Sequence, residues 1–226
     1  MDWNPSLPLN RQIALFDSDC LEPMGEGGFP LPALPAFSVR ERMRPKADRI
    51  NALYAFARER DLTVLFTQCC SARLVSDDIP AGSLVVPLDG CELAWRDRVP
   101  GARLINIRKR SGLTEGGTTN SFICRYFDAF QHNANAASLL KQLDIPLFVL
   151  FGHGFDLCVD SAAKGLLAAG YRVHFLTDVS APSASGYGPY GTEESGAAIL
   201  EYLVKIGVST GTSEEFFQQM ASSAGR

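Results

Sequence analysis

Residues 146–178, PLFVLFGHGFDLCVDSAAKGLLAAGYRVHFLTD, carry the pattern that decides the fold. The run 146–151 is continuously apolar, which suits a strand buried on both faces. A Gly-rich turn follows, the spacing predicts a helix over 158–169, and 171–177 (YRVHFLT) reads as the next strand. Strand, helix and strand in this order build a parallel pair, because parallel neighbours need a crossover of roughly a dozen residues or more.

The same alternation extends to both sides. Residues 12–19 (QIALFDSD) read as a strand, and 47–60 as a helix whose Ile50, Leu53 and Ala57 recur at helical spacing. The run 62–67 (LTVLFT) is the next strand, with further helices over 133–143, 192–206 and 213–222. The fold class expected is therefore α/β: a three-layer α/β/α sandwich with a mostly parallel, doubly wound central sheet, in one domain over 1–226. Active sites in such sheets gather at the carboxyl ends of the strands. Residues 71–122 resist the scheme; their best strand candidate is 103–108 (RLINIR). They read as an irregular insertion, either a hairpin that covers the site or meets a second subunit, or a solvated surface excursion.

Composition narrows the function. The chain has 226 residues, 46% of them hydrophobic and 20% charged, with a formal charge of −4. That balance gives no electrostatic reason to expect nucleic acid or an anionic membrane, so a small-molecule substrate is the expected partner. The N-terminus, MDWNPSLPLNRQ, has neither a basic nor an apolar leader region, and no apolar run approaches the roughly 20 residues that span a bilayer. A cytoplasmic protein is expected. Its six cysteines form no CxxC pair, which favours reduced thiols over disulfides.

Chemistry enters at Cys158. The turn after 146–151 delivers this cysteine to a helix start, where the backbone dipole and unpaired N–H groups favour thiolate and can hold a developing oxyanion. Alone, such a cysteine is as well explained as a small buried hydrophobe. The strand 12–19 adds a carboxylate at its carboxyl end, where burial without a partner is costly. If the two strand ends are neighbours, Asp19 can take the thiol proton. Asp17 shares its face, and its alternative role is a salt bridge or a hydrogen-bonded turn contact. Pocket walls are expected from Phe16, Tyr126 and Phe155, with His153 and Gly154 in the turn beside the substrate. Tyr187 and Tyr190, in the Gly-rich loop 180–196, either fold over the pocket or belong to an ordinary surface loop.

Three of these segments, ALFDSD, YFDAFQHNANAASLLKQLDIPLFVLFG and GHGFDLCVDSAAKGLLAAGYRVHFLTD, together resemble the isochorismatase-like cysteine hydrolases over roughly residues 12–67 and 123–210. The resemblance implies an Asp, Lys and Cys triad on a three-layer α/β/α fold, and family members assemble into oligomers, so a homo-oligomer is expected. Asp19 and Cys158 take two of the triad positions. The Lys position falls on or beside Cys124, whose neighbouring cation is Arg125; Lys109 is the second candidate. A cis peptide, where the family has one, would lie at His153–Gly154. The stretch FTQCCSARLV has no histidine where zinc-dependent relatives carry ligands, and His132, His153 and His174 form no HxH or HxxxH pattern, so neither metal nor other cofactor is expected. The function implied is hydrolysis of a small amide or related acyl compound. The alternatives are an enol-ether hydrolase acting through an Asp alone, and a binding or scaffold protein that has lost the chemistry.

Overall fold

A computed structural model of the chain describes residues 4, 7–18, 20, 42–70, 82–86, 93–110, 135–182 and 192–224. Their strands are β1 (Ile13–Ser18), β2 (Thr63–Cys70), β3 (Leu84–Val86), β4 (Leu104–Arg110), β5 (Leu147–Gly152), β6 (Arg172–Leu176) and β7 (Ser209–Gly211). All pair in parallel, in the order β3-β4-β2-β1-β5-β6-β7. The helices are α1 (Ala47–Glu59), α2 (Ala136–Leu143), α3 (Asp160–Ala168), α4 (Glu193–Lys205) and α5 (Ser213–Ala224).

Alternating side chains send each strand into two cores. Ala14, Phe16, Phe148 and Leu150 face one side, where Leu140 of α2, Leu166 of α3 and Leu203 of α4 cover them. Ile13, Leu15, Val149 and Phe151 face the other, under Leu53 of α1 and Phe216 of α5. The inner strands are thus apolar on both faces, as a parallel sheet sandwiched between helices requires. The result is the expected three-layer α/β/α arrangement. Among the described residues no helix is long and apolar enough to cross a membrane.

Residues 71–122 depart from the hairpin expectation. Their described parts contain two strands of the main sheet, β3 and β4, which pair in parallel through Leu84↔Ile105 and Val86↔Ile107. A 3-10 segment, Leu93–Gly101, makes the crossover between them. It carries Pro100 and no sustained apolar stripe, so periodicity does not reveal it.

The order of strands locates the topological switch point of the sheet. From β1 the chain moves to β2 on one side, and from β5 it moves to β6 on the other. Strands β1 and β5 are adjacent, so their carboxyl ends frame the topological switch point, where parallel sheets open a crevice.

His174 lies on β6, 4% exposed, with its Nδ1 2.9 Å from Ser209 Oγ. Burial lowers its pKa to about 4. The unfolded chain therefore binds one more proton than the folded one between about 4 and the ordinary value near 6.5. Stability should fall as pH drops through that window, by up to about 3 kcal/mol. Denaturant midpoints at pH 7 and pH 4.5 check this: His174→Asn, which keeps a polar atom near the Nδ1 position, should shrink the difference between them.

Candidate active site

The two strand ends expected to carry the chemistry do meet. In register, Asp17 stands opposite Phe151 and Ser18 opposite Gly152, and the His153 N–H donates to Ser18 O at 2.9 Å. Gly152 is required here twice over: its φ is 135°, and a Cβ on it would lie 2.1 Å from Ser18 O. Beyond it Gly154, at φ 69°, sits against the cysteine, with its missing Cβ 3.7 Å from Cys158 Sγ. No cis peptide occurs among the described residues, so the one implied at His153–Gly154 is not found. Two glycines at positive φ turn the chain instead.

Helical winding begins at Phe155 rather than at the cysteine. Residues Phe155–Val159 form a single π turn that runs into α3, closed by Val159 N–H to Gly154 O at 3.2 Å. Such one-turn insertions concentrate at functional sites. Cys158 is therefore in the first turn of the helical segment, within the reach of the dipole's positive end. It is 6% exposed, is not in a disulfide, and belongs to neither of the two apolar cores. The Phe155 N–H donates to Ala181 O at 3.1 Å and the Leu157 N–H to Gly154 O at 2.8 Å, which removes these two as oxyanion donors.

The loop after β6 clamps the turn from one side. Ala181 N–H donates to Gly152 O at 3.1 Å, and Gly152 N–H donates to Ser180 Oγ at 3.0 Å. Ser180 in turn donates to Leu176 O at 2.7 Å. Asp178, at the head of this loop, accepts from Ser213 N at 2.7 Å and from Ser213 Oγ at 2.6 Å, and so ties the loop to the start of α5. Lys46 Nζ donates to Asp178 O at 3.1 Å, and desolvation lowers its pKa.

Asp17 is fully buried on the α1 face. Its Oδ1 accepts from Cys20 N at 2.9 Å and its Oδ2 from Tyr54 Oη at 2.8 Å. Burial first, and the Asp17 charge second, raise the Tyr54 phenol well above its ordinary pKa, so it stays a proton donor. The bond to Cys20 is the turn contact that the sequence allows for Asp17.

Asp19, Arg125 and Tyr126 lie outside the described residues, as do Tyr187 and Tyr190. Lys109 is described through its backbone, near the carboxyl end of β4 and opposite Cys69. Phe16 is fully buried in the core beneath α2, α3 and α4. Phe155 packs on Phe175, 5.9 Å between ring centroids, and on Gly196 of α4. Phe16 is therefore a core residue rather than an open wall, Phe155 packs beside α4, and His153 and Gly154 form the turn itself.

Sequence reasoning passed over two carboxylates that flank the cysteine. Asp156 is 1% exposed and accepts from Ser195 Oγ at 3.1 Å. Asp160 is held by Lys164 Nζ at 2.6 Å; burial raises its pKa, and the Asp156 charge adds to the rise. The signal was the string FDLCVD, with acids two residues to either side of Cys158 in an apolar setting.

No family model matches the sequence, and no curated protein matches it. Solved structures do match the fold. An isochorismatase-like hydrolase from Alkaliphilus metalliredigens superposes with a TM-score of 0.56 at 19% identity, covering 92% of this chain and 95% of its own. A cysteine hydrolase from Pseudomonas syringae pv. phaseolicola gives 0.57 at 15% identity, over 98% and 97% of the two chains. A pyrazinamidase from Pyrococcus horikoshii gives 0.53 at 16% identity, over 89% and 99%. The parallel sheet, its helical layers and these superpositions agree that the chain has the fold of the isochorismatase-like hydrolases.

Proposed function

We propose that the chain is a hydrolase that cleaves a small amide or related acyl compound through a thioester on Cys158. The observation that carries this reading is the meeting of the carboxyl ends of β1 and β5 at the switch point, with Cys158 in the first helical turn beyond β5. Fold kinship with proteins named as amide-cleaving hydrolases adds to it.

The strand-end carboxylate takes the thiol proton, and the thiolate attacks the substrate carbonyl. N–H groups of the 154–158 turn other than those of Phe155 and Leu157 hold the oxyanion. The proton passes to the departing amine, leaving an acyl thioester. Water, deprotonated by the same carboxylate, attacks the thioester and releases the acid and the free thiol. Asp19 is proposed as that carboxylate because it stands nearest the strand end. Asp17 is the second candidate, favoured by its complete burial beside the turn and by two hydrogen bonds that orient it. Arg125 is proposed as the companion cation, with Lys109 as its alternative. No metal is assigned a role.

The test is ammonia release from a panel of small primary amides, comparing the native chain with Cys158→Ala. Turnover that survives the substitution would refute the covalent route.

A further inference from the structure

Asp156 has no part in the steps above, yet its carboxylate is buried two residues before the sulfur. Burying that charge is costly unless it is held, and what holds it is informative. Its Oδ2 accepts from the hydroxyl of Ser195, the third residue of α4. That hydroxyl has one proton and two acceptors in reach, Asp156 Oδ2 at 3.1 Å and Thr192 O at 2.9 Å; the charged acceptor makes the stronger bond. Beside it, a Cβ on Gly196 would lie 2.6 Å from Phe155 Cζ, so only glycine lets the ring seat there. Two consecutive turn residues, Phe155 and Asp156, thus dock on two consecutive residues of α4, Ser195 and Gly196. The backbone of Gly152 and Phe155 is held in addition by Ser180 and Ala181.

We infer that Asp156 is a positioning residue for Cys158: through Ser195 it locks the roll of the π turn, and so sets where the sulfur points beyond the carboxyl end of β5. The inference rests on the proposed role of Cys158 as nucleophile. Among the described residues, the charged group shown to act on Asp156 is Asp160, itself held by Lys164.

The test follows alkylation of Cys158 by iodoacetamide against pH in the full chain, site-resolved by peptide mass mapping, with melting temperature measured alongside. Ser195→Ala keeps the Asp156 charge and removes the bond, and the Thr192 side chain still caps the Ser195 N–H at 2.9 Å. A misaligned thiolate is less stabilised, so the alkylation midpoint should rise and the rate at pH 7 fall by about 10-fold for each unit of rise. Asp156→Asn keeps an acceptor for Ser195 and removes a negative charge near the sulfur, so the midpoint should fall. Shifts of opposite sign separate the Asp156–Ser195 contact from a change in fold stability alone, which does not produce them. A Ser195→Ala protein with the native midpoint and native rate at pH 7 would overturn the inference. Native Cys158 reacting no faster than Cys20 would instead overturn the nucleophile reading, and this inference with it.

Discussion

Gly152→Ala is expected to lower folding stability by about 4 kcal/mol or more. The added Cβ would stand 2.1 Å from Ser18 O, 2.8 Å from Ser18 C and 2.9 Å from Ser18 N. All three are backbone atoms of β1, paired on both edges, so no flexible side chain yields. Strand β5 would have to separate from β1 at the candidate site. The φ of 135° adds backbone strain of about 1–3 kcal/mol. Gly170→Ala is the matched control: its φ is 87°, but nothing lies within 4 Å of the new atom, so only the strain of about 1–2 kcal/mol remains. Urea midpoints of the two variants measure the difference. Equal losses would mean that the close approach of β1 and β5 has been misjudged.

Cys158→Ala should abolish turnover while the fold persists. Removing a nucleophile that forms a covalent intermediate commonly reduces kcat by about 1000-fold or more. Losing one buried sulfur at a site 6% exposed should reduce stability by only about 1 kcal/mol. The two readouts separate a chemical role from a packing role. Cys20→Ala provides the contrast: it deletes the thiol of another described cysteine outside any disulfide while keeping the backbone N–H that donates to Asp17, and most of the turnover should remain.

The sequence-based reading succeeded where local pattern and tertiary environment agree. Strands β1, β2, β5 and β6 are apolar runs buried on both faces, and α1 and α3 carry apolar stripes, so each is visible from its own residues. Strands β3 and β7 are three residues long; the latter reads Ser-Thr-Gly and lies at the sheet edge, with no alternation to detect. Of the two readings of 71–122, a hairpin or a surface excursion, neither anticipated that its described residues add β3 and β4 to the main sheet in parallel, with a 3-10 segment between them that has no periodic signature. The π turn was also hidden: helical spacing places a start at Cys158, whereas tertiary clamping of Gly152 and Phe155 begins the winding three residues earlier.

Site residues divide in the same way. The placement of Cys158 just beyond β5 was legible because a glycine turn and a helix start leave a local trace. Asp17 was ambiguous because its partner Tyr54 comes 37 residues later, on a helix that docks only in the folded chain. Asp156 and Asp160 look like ordinary acids near a helix start. Only the docking of α4, through Ser195 and Gly196, reveals that Asp156 is buried and held.

The pH dependence of Cys158 alkylation tests the central claim most directly, since it reads the ionisation of the sulfur with no knowledge of the substrate. The account predicts a midpoint below the ordinary thiol value of about 8.5, with Cys158 reacting faster than Cys20 at pH 6 to 7. A midpoint at or above that value, with Cys158 no more reactive than the other cysteines, would contradict it.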